Sequence, residues 1–109
     1  MKRLIQMQAA TRKNRFEVGR FVVDQIGALD GWVEDVQLYS NKMSTTRMTL
    51  PVGRYRDFVD ALNAYGVPVE LPDAFDVLPQ ESAERSASLQ ISFVHEEPDT
   101  SRPLPAVPG

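Results

Sequence analysis

Residues 3–10 alternate, with Ile5, Met7 and Ala9 on one side and Leu4, Gln6 and Gln8 on the other, the period of two of a half-buried strand. The period then changes. Asn14 with Glu17 three residues later forms an asparagine variant of the capping box, and Val18, Phe21, Val22, Ile26 and Leu29 fall on one helical stripe. This predicts a helix over 15–29 that stops at the Asp30-Gly31 turn signal. Gly19 and Gly27 weaken that helix by up to ~1 kcal/mol each relative to alanine, and close packing of the helix on a sheet is the expected reason for them. Residues 32–39 and 44–50, rich in β-branched and aromatic side chains, flank the polar turn 40–43 and predict a hairpin. Beyond the break at Pro51-Val52-Gly53, Tyr55, Phe58, Val59, Leu62 and Tyr65 mark a second amphipathic helix over 54–65, with Gly66 and Pro68 as its stop. Residues 67–71 read as a short edge strand, 80–87 as a polar loop, and 88–95 as a last alternating strand with Leu89, Ile91 and Phe93 on one face.

Strand, helix, strand, strand, helix, strand is the split βαβ order of an α+β, ferredoxin-like βαββαβ sandwich, in which two helices cover one face of an antiparallel sheet. Its expected core joins both helix stripes to Ile5, Met7, Ala9, Val36, Leu38, Met48, Leu50, Leu89, Ile91 and Phe93. The opposite face then carries Gln6, Gln8, Gln37, Tyr39, Thr45, Arg47, Thr49, Gln90 and Ser92, a polar surface without the exposed stacking aromatics on strands one and three that an RNA recognition sheet needs. The expected organisation is one domain over residues 1–95 and a flexible, Pro-rich C-terminal tail over 96–109.

The element order, the element lengths and the short extra strand after the second helix resemble the small ACT-type and PII-like regulatory modules. That resemblance implies a ligand-responsive regulatory domain. ACT domains bind an amino acid near a subunit interface at the turn between strand one and helix one, where they carry a glycine; here the turn reads Thr11-Arg12-Lys13-Asn14-Arg15. PII-like proteins carry a long loop between strands two and three, and the turn 40–43 is short.

Composition narrows the chemistry by exclusion. With no cysteine there is no disulfide framework, thiolate metal site or cysteine nucleophile, and with His95 as the single histidine there is no multi-histidine metal site. No run of 18 apolar residues or signal-peptide core occurs, so the expected location is cytoplasmic, without membrane contact. The net charge of −3 is too small to imply a polyanion partner, and nucleic acid is not expected. The charge is unevenly spread: residues 1–56 hold ten Lys/Arg against five Asp/Glu, and residues 57–109 hold two against ten.

Arg12, Lys13, Asn14 and Arg15 set three cations at the N-terminus of the first helix, where free N–H groups favour a phosphate or carboxylate. Tyr39 and Arg47 extend the candidate ligand-binding set onto the polar sheet face. No phosphate-cradling glycine loop, GxSxG, HExxH or EF-hand pattern is present, and neither cofactor nor metal is expected. His95 beside Glu96 and Glu97 reads as a strand end, and Glu34/Asp35 and Asp73/Asp76 as solvated turns. Residues 102–108 match the RxxPxxP spacing of a polyproline ligand, a pattern that also arises by chance in tails. The expectation is a non-catalytic regulatory or interaction module that forms a homo-oligomer and either binds a small polar or anionic ligand or serves as an interaction subunit. The alternative is a small enzyme with its site between subunits, built from Tyr39, Arg47 and His95.

Overall fold

The computed structural model describes residues 4–40, 42–72, 78 and 80–94. In chain order these form β1 (Ile5–Thr11), α1 (Arg15–Ala28), β2 (Trp32–Tyr39), β3 (Met43–Pro51), a single 3-10 turn (Val52–Arg54), α2 (Tyr55–Tyr65) and β4 (Glu84–Phe93). His95, Asp73, Asp76 and the tail from 96 lie outside the described residues.

Both helices begin and end as their sequences dictate. Asn14 caps α1, its side-chain oxygen accepting from the Phe16 and Glu17 amides at 2.8 and 3.1 Å. At the other end the Gly31 amide donates to the Ile26 carbonyl and the Asp30 amide to that of Gly27, a Schellman closure in which Asp30, at φ 67°, takes the left-handed position. Gly31 serves a different need: a Cβ there would collide with the Leu50 side chain and the Thr49 carbonyl. Gly66, at φ 108°, closes α2 in the same manner, with the Val67 amide donating to Leu62. The other two glycines of α1 have no packing role, since a Cβ on Gly19 or Gly27 meets nothing within 4 Å.

The sheet is mixed rather than antiparallel, in the order β1-β4-β3-β2, with β4 antiparallel to β3 and parallel to β1. The split βαβ arrangement would leave β4 parallel to β3, with β1 between them. Here β4 starts where β3 ends: Pro51 pairs with Glu84, and the Val52 and Gly53 amides donate to the carbonyls of Ala83 and Glu81. Helix α2 starts beside that end of the sheet and leads to Gly66, beside Lys13 at the other end, and residues 81–83 lie back at the first, where β4 begins. As the direct antiparallel neighbour of β3, β4 takes the central place and leaves β1 at the edge.

The expected edge strand at 67–71 is not formed. Val67 and Val69 are buried in the core, but the Val67 amide donates to Leu62 and the Val69 backbone is held by Asn63, whose amide donates to the carbonyls of Val59 and Val69 and accepts from the Val69 amide. A side chain takes the part of a neighbouring strand. The last strand runs four residues earlier than its alternation suggests, through the polar stretch 84–87, and stops at Phe93.

One face of the sheet is lined in register by Ile5, Met7 and Ala9, then Ala87, Leu89, Ile91 and Phe93, then Ser44, Thr46, Met48 and Leu50. Val18, Val22 and Ile26 of α1 and Tyr55, Phe58, Val59 and Leu62 of α2 join the apolar residues of that face in a single core, so both helices cover the same side. Phe21 and Tyr65 stack between the helices with ring centroids 3.9 Å apart. Val36 and Leu38 lie on this same face, opposite Thr46 and Ser44, yet they stay outside the core.

Candidate functional site

The turn after β1 brings Arg12 and Lys13 to a cleft of about 570 Å³ that also takes in Thr11, Gly66 and Val94. The helix start above it is already well used. The Asn14 side chain satisfies two of the first amides of α1, the Lys13 ammonium lies 4.8 Å from the centre of the Tyr65 ring, and the Arg15 guanidinium stacks 4.6 Å from that of Phe16. These contacts turn Lys13 and Arg15 toward neighbouring rings on opposite sides of the turn.

Tyr39 and Arg47 lie on the polar face, as their alternation predicts, but not beside one another: Tyr39 is opposite Met43, whereas Arg47 is opposite Asp35. Along β2 on that face a row of contacts runs from the Tyr39 hydroxyl to the Gln37 carbonyl oxygen at 2.6 Å and from the Gln37 amide to Asp35 at 3.2 Å. Nearer the start of β2, where the pairing with β3 slips between Val33 and Asp35, the carboxylate of Glu34 accepts a hydrogen bond from the Thr49 hydroxyl, which also approaches Ser86. A second polar cleft of about 640 Å³ separates Gln6 and Gln8 from residues 68–72 at the free edge of β1. Among the described residues no three His, Cys, Asp or Glu side chains gather as a metal site would require. Among the same residues no helix is long and apolar enough to cross a membrane.

The feature that sequence reasoning missed lies on the helix side. Between α1 and β2 runs a groove of about 210 Å³ lined by Arg15, Phe16, Gly19, Val23, Val36, Leu38, Ser44, Thr46 and Phe93. Four of its apolar side chains are open to solvent: Phe16 (69% exposed), Leu38 (67%), Val36 (48%) and Val23 (47%). The cause is geometric. Helix α1 buries its Val18, Val22 and Ile26 stripe toward the middle of the sheet, so β2, the outermost strand on that side, projects past the cover. Val33 alone among the residues of β2 is even half-buried. A signal was present in the sequence: Phe16 and Val23 are large apolar residues of α1 that lie off the stripe that fills the core.

Among the described residues pairing accounts for one edge of β2 only, so the groove adjoins a strand edge that none of them pairs. An unpaired strand presents a row of backbone donors and acceptors and is a template for another strand. Apolar side chains above such an edge add the hydrophobic contribution that backbone pairing alone lacks. Compared with models of protein families, with curated proteins and with solved structures, the chain matches none.

Proposed function

We propose that this chain is a non-catalytic interaction module that associates with itself through the α1/β2 side of the sandwich. One observation carries the reading: Phe16, Val23, Val36 and Leu38 form an uncovered apolar strip directly above the free edge of β2. Full burial of a Val, Leu or Phe side chain stabilises by about 1.5–3 kcal/mol, so a partner that covers this strip gains several such contributions. The clefts beside Lys13 and beside Gln6 and Gln8 expose no comparable run of apolar side chains.

Sedimentation velocity across a micromolar concentration series tests the proposal. A mass that rises with concentration above the 12.2 kDa of one chain is expected. Leu38→Lys, which sets an ammonium on the strip at an exposed position, is expected to return the chain to a monomer without loss of folding. A wild-type chain that stays monomeric throughout the series refutes it.

A further inference from the structure

Resting on the reading of self-association, we infer that two copies join by antiparallel pairing of β2 with β2 about a two-fold axis at Gln37, continuing the sheet from one copy into the other. The occupant of the apolar strip is then the same strip of a second copy. A two-fold interface is self-complementary, so the residues along β2 decide where its axis lies.

Charge excludes the first half of the strand. An axis at Asp35 sets two carboxylates directly opposite one another, at the site of the slipped pairing with β3. Moving the axis to Val36 leaves them on the diagonal, about 7 Å apart. An axis at Leu38 fails for another reason: Val36 would face Ser40, which at φ 70° has already left the strand. At Gln37 these conflicts vanish. The two Asp35 carboxylates lie four residues apart along the strands, about 13 Å.

The same register matches every side chain from 35 to 39 with a suitable opposite. On the helix side Val36 meets Leu38 of the second copy, and Leu38 meets its Val36, so the exposed apolar residues of β2 cover each other while Phe16 of each copy borders them. On the polar face the Gln37 amides, each able to donate and accept, lie opposite one another. Asp35 faces Tyr39 of the second copy. The Tyr39 hydroxyl, which within one chain gives its single proton to Gln37, turns it instead to the Asp35 carboxylate across the axis, and the Gln37 oxygen it leaves accepts from the Gln37 amide of the second copy.

Because the chain has no cysteine, single cysteines report the register directly. Residues directly opposite in an antiparallel pair have Cβ atoms about 4.5–5.5 Å apart, near disulfide reach, whereas diagonal ones at roughly 7 Å are beyond it. Full-length Gln37→Cys under mild oxidation is expected to form a covalent dimer. Asp35→Cys and Tyr39→Cys are expected to remain uncoupled alone and to couple when mixed, and Ser88→Cys, on the polar face of central β4, to remain uncoupled. Leu38→Lys is expected to raise the dissociation constant at least about tenfold. Coupling of Asp35→Cys with itself overturns the register. A wild-type chain that associates in solution while none of these variants couples overturns the β2 interface and leaves self-association standing; a wild-type chain that never associates removes both.

Discussion

Replacing Tyr55 by phenylalanine removes one hydroxyl from a side chain with no solvent exposure, and that hydroxyl donates to the Arg85 carbonyl at 2.5 Å, tying the start of α2 to the start of β4. The ring and its packing are kept. The loss is therefore the net value of the hydrogen bond plus the cost of a poorly solvated carbonyl, about 1–3 kcal/mol at neutral pH. For a chain of this size each kcal/mol moves Tm by roughly 4–8 °C. Alkaline pH adds a second signature. Burial, the dominant cause, and the nearby Glu34 carboxylate push the Tyr55 phenol well above its ordinary value. In the unfolded chain the phenol ionises near pH ~10, while in the folded chain it stays protonated. The stability due to the protonated phenol is thus complete below about pH 10 and is lost as pH rises above it, by about 1.4 kcal/mol per pH unit. The Tyr55→Phe chain has no such loss. Tyr39, Tyr65 and the lysines are common to both chains and cancel in the difference. Urea unfolding followed by far-UV circular dichroism, repeated from neutral pH to about pH 11, should show the wild-type advantage shrinking above pH ~10, by about 1.4 kcal/mol at pH 11 relative to neutral pH. A difference that stays constant with pH would show that the folded phenol ionises as freely as the unfolded one, and the burial argument would fail.

Phe58, fully buried where α2 meets the sheet, should cost ~3–5 kcal/mol when truncated to alanine, read from the urea midpoint at an unchanged slope. Gly27→Ala should stabilise by up to ~1 kcal/mol in the same assay, because the added methyl meets nothing and only the unfolded chain loses freedom; destabilisation would mean that the helix end needs the glycine. Asn63→Ala should cost ~1–3 kcal/mol and speed hydrogen exchange at the Val69 amide far more than at the β4 amides, since Asn63 alone stands in for a strand there. Uniform acceleration across the sheet would show that the Val69 backbone is held by something else.

The two helices and the hairpin were legible because their signals are local. Tyr55, Phe58, Val59 and Leu62 repeat at helical spacing, and every one of them is buried. The faces of the strands were legible for the same reason: Met7 and Leu89 point inward, and Gln8 and Gln90 beside them do not. Strand order was not, because it depends on where the chain re-enters the sheet as β4, and no periodicity encodes that. The start of β4 was hidden by Glu84, Arg85 and Ser86, which carry no apolar alternation and are strand by pairing with Pro51, Leu50 and Thr49. Alternation also assigned Val36 and Leu38 to their face without saying whether anything covers them. Cover is set by how far α1 reaches across the sheet, a tertiary quantity. Of the candidate ligand residues, 12–15 are contiguous and were bound to lie together, whereas Tyr39 and Arg47 share a face but sit at different heights on the hairpin.

The central position of β4 also bears on how the molecule is made. During synthesis the hairpin can form as soon as residues 32–51 have left the ribosome, and both helices have emerged by residue 65. Strand β1 has to wait: Ile5 pairs with Ala87 and Thr11 with Phe93, so the first strand finds its partner among the described strands when the last of them arrives. Until then the apolar faces of both helices and of β1 are without their central layer, and the contacts that complete the sheet close loops spanning nearly the whole described chain. Such long closures slow folding and prolong the exposure of apolar surface. A nascent chain halted before residue 84 should therefore be a far better substrate for holdase chaperones than one released after residue 94.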